Sequence, residues 1–319
     1  MLFQKFCSLI LFLMILFAVS KPVAASCGTC IIPRLGKEDT AVRAESGDKK
    51  WYFEYLFEQK VWDEMDARDA HNLHHQGHHF HDKTTEDFHH FSLGRKVLED
   101  LTFFIEIPYV IRRSLEVDSH SILGSKQSSE GWGDTHLIGD YRFWKSDDQS
   151  LSLTGGVKFP TGKTKEKNSI GTLFEPELQP GTGSFDYILG TVYKRDMGRF
   201  SLIGNATHVF NTEGDYNFTF GDVSSVSLYV DYLFNPQSET MKKKVGLDVV
   251  YQYEQKQKDD GVKVADSGGQ TILLGPVLKS EVNSRVSFFS SFLYPVVQNL
   301  GGVHQELDFE WTAGGKILW

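Results

Sequence analysis

Between Asp69 and Asp82 the chain reads D-A-H-N-L-H-H-Q-G-H-H-F-H-D, and together with His89 and His90 this region carries eight of the chain's twelve histidines. Neutral imidazole is a ligand for Zn, Cu and Ni. His71, His74, His75, His78, His79 and His81, with Asp69 and Asp82 as oxygen donors, therefore form a candidate site for divalent metal (Zn or Cu). The plainer reading of the same tract is a solvated polar loop with weak metal affinity. Just beyond it, His90-Phe91-Ser92 sets an imidazole and a hydroxyl two residues apart, so one face of a strand would carry both. Such a base can activate a hydroxyl as nucleophile, which admits a hydrolase working on a lipid-facing strand. Neither an oxyanion donor nor an orienting partner is identifiable from sequence.

The remaining reactive pair is Cys27 and Cys30 in C-G-T-C. A local disulfide is the expectation in an oxidising compartment. Lipidation at Cys27 and metal binding by the pair compete with it, while Ile31 in place of His excludes the usual haem-attachment motif. The compartment itself is indicated by residues 1–25. Lys5, an apolar core from Leu9 to Val19 and a small-residue end at Val23-Ala24-Ala25 make a secretory signal. Residues 26–50 follow as a periplasmic segment, and a net charge of −9 argues against a nucleic-acid partner.

What must position these groups is a set of strands. After residue 20 there is no apolar run near the ~20 residues a spanning helix needs. Instead the 319-residue chain alternates apolar and polar positions again and again. Trp51, Phe53, Tyr55, Phe57 and Val61 oppose Glu54, Glu58 and Lys60. Leu101, Phe103, Ile105, Ile107, Tyr109 and Ile111 oppose Glu106 and Arg112, and Leu137, Tyr141 and Phe143 oppose Asp134, His136, Asp140 and Arg142. This period of two predicts strands over 51–62, 88–96 (weaker), 101–113, 134–145, 151–160, 185–194, 200–210, 225–234, 245–254, 271–279, 286–296 and 307–319. Short polar joins near 98–100, 146–149, 195–199, 235–244 and 281–284 alternate with long stretches at 63–87, 114–133 and 161–184. That rhythm fits an all-β transmembrane outer-membrane barrel over 51–319, with about twelve antiparallel strands and both termini periplasmic. Interleaved tyrosines and phenylalanines fit interfacial girdles.

The final stretch, L-D-F-E-W-T-A-G-G-K-I-L-W, ends on Trp319 after a polar-x-Gly-x-x-apolar-x-aromatic run. It resembles the C-terminal signal through which the barrel-assembly machinery recognises outer-membrane barrels, so that machinery and membrane lipid are expected partners. The inward positions then carry Glu54, Glu58, Glu106, Arg112, Asp140, Arg142, Lys158, Asp186, Asp248 and Glu310. These charges can pair across the interior as a closing network. An excess of carboxylates would also favour cations in a pore.

From about Trp51 to Trp319 the chain resembles the outer-membrane transporters grouped under the MetA pathway of phenol degradation. Four motifs carry the likeness: Ile107-Pro108-Tyr109-Val110, Gly131-Trp132-Gly133-Asp134, Lys158-Phe159-Pro160-Thr161-Gly162 and Gly181-Thr182-Gly183-Ser184. The resemblance implies a barrel that passes a small molecule, aromatic or otherwise apolar, and the whole reading is of a channel from which no catalytic chemistry is expected. The motifs themselves read as strand exit and loop geometry, because Pro160 cannot donate to a ladder and glycines admit backbone that a Cβ would obstruct. A metal-gathering barrel and a lipid hydrolase are the competing functions.

Overall fold

The computed structural model describes residues 51–62, 83–118, 121–168, 171–238, 241–301 and 305–319. The signal segment, the Cys27/Cys30 pair and the six tract histidines lie outside the described residues.

In chain order the strands are β1 (Trp51–Trp62), β2 (Lys83–Leu98), β3 (Leu101–Asp118), β4 (Ser121–Trp132), β5 (Thr135–Lys145), β6 (Gln149–Phe159), β7 (Asp186–Met197), β8 (Phe200–Phe210), β9 (Phe218–Thr219), β10 (Val223–Leu233), β11 (Lys242–Glu254), β12 (Lys258–Asp259), β13 (Val262–Lys263), β14 (Gly269–Glu281), β15 (Val286–Leu300) and β16 (Leu307–Leu318). Each long strand pairs antiparallel with its neighbours, and β1 joins β16 on one side and β2 on the other, which closes the sheet on itself. Closure of the main wall leaves no strand backbone groups unpaired in lipid, while β4, paired only with β3, keeps one edge open where the hairpin projects.

β4 and β5 act as a single stave. Tyr109 of β3 faces Trp132 and Glu106 faces His136, so the register slips by one residue at Gly133-Asp134. Counted this way the barrel has twelve staves, as the alternation predicts. The sequence expectation of a loop over 114–133 is corrected, since β3 and β4 extend into a long hairpin there. β2 likewise begins at Lys83, well before the expected start. β9, β12 and β13 form a separate small sheet over the loops.

Pairing turns alternation into two surfaces. Phe103, Ile105 and Ile107 on β3, Leu137 and Tyr141 on β5, and Tyr187 and Leu189 on β7 stand exposed outside, while Phe104, Glu106, Ile138 and Asp140 are buried inside. Aromatic contacts mark the edges of the outer band. Near the tight turns Arg95 sits over Trp51 at 4.9 Å, and Phe200, Tyr232 and Phe234 adjoin. Toward the loops Tyr109 meets Trp132 edge-on at 5.2 Å, and Phe159 meets Phe185 at 5.9 Å. Trp51 and Trp319 exchange backbone hydrogen bonds at 3.0 Å, which puts the first and last strand ends together on the side of the tight turns.

Candidate functional site: the lumen wall and its loop-end strap

Inward charges on neighbouring strands fall opposite one another. One row runs Lys316, Glu54, Ser92, Glu106, His136, Lys158, Asp186 across β16, β1, β2, β3, β5, β6 and β7. A second runs Glu310, Lys60, Glu86, Arg112, Ser129. Opposite charges facing each other across a ladder stabilise it by about 0.2–1 kcal/mol per pair, and burial strengthens them relative to water. Arg112 Nε donates to Glu86 Oε1 at 2.8 Å, and Lys158 Nζ bridges Asp186 and, at 3.3 Å, Asp134 Oδ2. Arg142 closes the turn end by donating from Nε to Asp100 Oδ1 at 2.8 Å, and Asp140 accepts the Thr154 hydroxyl at 2.9 Å.

All ten sequence-assigned lumen charges take inward positions. Glu58, Glu106, Arg112, Asp140, Arg142, Lys158, Asp186, Asp248 and Glu310 are buried and Glu54 is half-buried. His90 and Ser92 do share a face, but that face is the interior: both are buried beside Glu106. The lipid-facing placement expected for a His-x-Ser hydrolase is thus corrected. Glu106 is an acid that the sequence did not pair with them, yet Ser92 Oγ donates to its Oε2 at 3.4 Å and His90 Nε2 faces Glu58 at 3.9 Å. Among the described residues no group of three or more His, Cys, Asp or Glu side chains is arranged to hold a metal ion.

Alternation could not reveal what the glycine motifs do together. The connection between β6 and β7 is strapped to the inner wall at Gly162, Leu178, Gln179 and Thr182. Asp134 Oδ1 accepts the Gly162 amide at 2.9 Å, and Oδ2 accepts the Thr182 amide and hydroxyl at 2.9 and 2.8 Å. Gly162 and Gly181 are there because a Cβ on either would come within 2.7 Å of the other's backbone. Gly183 adopts φ +75, a conformation that side chains rarely take. Farther along, a single 3-10 turn (Pro176–Leu178) buries Leu178, and the carbonyls of Leu178 and Gln179 accept from Ser129 Oγ and Arg112 Nη1 on the inner wall. Gln179 holds the strap's own shape: Nε2 donates to the Glu166 and Phe174 carbonyls and Oε1 accepts the Glu166 amide at 2.9 Å. Lys158-to-Gly162, Gly131-to-Asp134 and Gly181-to-Ser184 are thus parts of one latch. Their reading as strand exits and loop geometry fits this arrangement.

The family described as the MetA-pathway of phenol degradation matches residues 84–296, from β2 into β15 and across the whole latch. The chain belongs to this family. Among solved structures, an outer membrane channel from Pseudomonas putida F1 superposes with a TM-score of 0.59 at 15% identity, covering 86% of this chain and 98% of that one. The beta domain of the Bordetella autotransporter BrkA gives 0.49 at 8% identity, over 85% and 100%. No curated protein matches. Family membership, the closed barrel and its apolar outer band place this MetA-pathway member in the outer membrane.

Proposed function

We propose that this MetA-pathway family member is an outer-membrane channel for small apolar or aromatic molecules and that it carries out no catalysis. The observation that carries this reading is the strap between β6 and β7, latched to the inner wall through Gly162, Leu178, Gln179 and Thr182: a barrel that holds such a segment at its loop end is built to limit what enters. The family's association with phenol degradation supports the chemical class, and the likeness to the outer membrane channel from Pseudomonas putida F1 supports the barrel. The long loops then face outward, the tight turns and both termini face the periplasm, and β16 is the strand presented to the assembly machinery.

The test is ionic current through the purified barrel in planar bilayers, followed by block of that current by small aromatic solutes. Discrete, voltage-stable conductance that toluene reduces is the expected result. A barrel that inserts, shown by mobility that changes on boiling, yet conducts nothing would sink the proposal.

A further inference from the structure

Besides Asp134 and the pair Arg112 and Ser129 on the wall, the strap has a third hold. It comes from the stretch between β8 and β10, residues 211–222. There the Asp215 amide donates to the Thr182 carbonyl at 3.1 Å, the Thr164 hydroxyl donates to the Asp215 carboxylate, and the Tyr216 hydroxyl donates to the Thr164 carbonyl. Thr182 therefore joins two holds, giving its amide and hydroxyl to Asp134 and accepting Asp215 on its carbonyl. The approach is close. A Cβ at Gly214 would come within 2.1 Å of the Thr182 carbonyl oxygen, and one at Gly183 within 2.7 Å of the Asp215 amide nitrogen.

This third hold differs from the wall in its backbone. Tyr216 and Asn217 stand at φ 64 and φ 55, two successive non-glycine residues in the left-handed region. Such backbone is uncommon, most of all under a bulky side chain, and it persists only where its surroundings keep it there. A second loop does so here. The Asn217 carbonyl accepts the Asp260 amide at 3.2 Å, the Asn217 side-chain amide donates to Asp260 Oδ1 at 2.8 Å, and β9 pairs with β12 beside them. Asp260 is itself left-handed at φ 48. Tyr216 is exposed, whereas Phe218 and Phe220 just beyond it are buried with their rings 5.0 Å apart. The strap is thus gripped by the strained, exposed end of a loop whose other end is packed.

We infer that Asp215–Asn217 is a strained catch that lets go of the strap while the wall still holds it, giving the channel a gated second state. Letting go relaxes two left-handed residues and gives up three hydrogen bonds, which water replaces at an exposed contact, so the two states lie close in free energy. With the catch off, the strap hangs from Asp134, Arg112 and Ser129 alone and the path beside it widens. This inference rests on the channel reading and adds a gate to it.

The test records single-channel current through the full mature barrel in planar bilayers. Two conducting levels are expected for the wild type. Tyr216→Phe keeps the ring and loses the bond to Thr164, and should raise the time spent in the wider level about fivefold, the worth of one neutral hydrogen bond. Tyr251→Phe, which loses a side-chain bond to Gln270 between β11 and β14, should leave that time unchanged. Hydrogen exchange on the wild type is the second measurement and needs no variant: amides of 213–218 should exchange faster than those of 178–184. A single level in the wild type, an occupancy that Tyr216→Phe does not move or that Tyr251→Phe moves as much, or equal exchange in the two segments overturns the catch and leaves the channel standing. No current at all overturns the channel reading and the gate with it.

Discussion

A single carboxylate, Asp134, gathers one of the strap's two sets of wall anchors; Arg112 and Ser129 make the other. Asp134 accepts from two backbone amides and one hydroxyl and shares Lys158 with Asp186. Truncation in Asp134→Ala strands those donors in a buried setting, at a cost of about 3 kcal/mol. Lys163, Lys165 and Lys167 lie within the strap, so the expected outcome is trypsin cleavage there in the variant under conditions that leave the wild type whole, with a lower urea midpoint. Unchanged protection would mean that Arg112 and Ser129 hold the strap without it. The inward position of Asp134 is legible in sequence because alternation is a local property of a strand. Its partners are not, since Thr182 is 48 residues away and only the register of the two intervening strands, β5 and β6, brings it near. For the same reason His90 and Ser92 were found as a pair while Glu106, on the next strand, was not joined to them.

Whole elements were missed where the barrel leaves the membrane. Thr84 to Asp87 in β2 and Lys126 to Glu130 in β4 are strand segments without apolar side chains. A stave that projects beyond lipid meets water outside as well as polar groups inside, so the contrast between its faces disappears and only ladder pairing remains to hold it. The alternation predicts a strand that starts at Asp134, whereas Gly133-Asp134 is a bulge within one longer stave. The strap's own dependence on glycine is testable at this scale. Valine at position 162 would press on the backbone of Gly133 and Gly181 within 2.7 Å, where nothing flexible can yield, whereas a Cβ at Gly155 meets nothing within 4 Å. Gly162→Val should cost about 1–3 kcal/mol and lift the strap, seen as a larger single-channel conductance. Gly155→Ala should conduct like the wild type. Equal conductance in all three proteins would show that the strap does not set the width of the path.

For the molecule as a whole, the determining condition is a closed wall with lipid on one side and charge on the other. Closure satisfies the backbone, so the side chains alone decide how the wall sits in the bilayer. On β5 the outward row runs Leu137, Gly139, Tyr141 and Phe143, and Leu137 pairs with Ile105 near the middle of the apolar band, between the Trp51 edge and the Tyr109–Trp132 edge. Phe143 lies at the turn end of the same row, close to Lys145. An arginine at mid-band must hold its charge in hydrocarbon, while one at the edge reaches water by extending its stem. Leu137→Arg should therefore destabilise the inserted barrel by about 2–4 kcal/mol and Phe143→Arg by only about 0–1 kcal/mol, measured by reversible guanidinium unfolding in vesicles. Equally large penalties at both positions would mean that the band is placed wrongly along the staves. An equally small penalty at both would mean that this face is covered by protein instead of lipid, and would turn the outer aromatic rows from girdles into an interface between barrels.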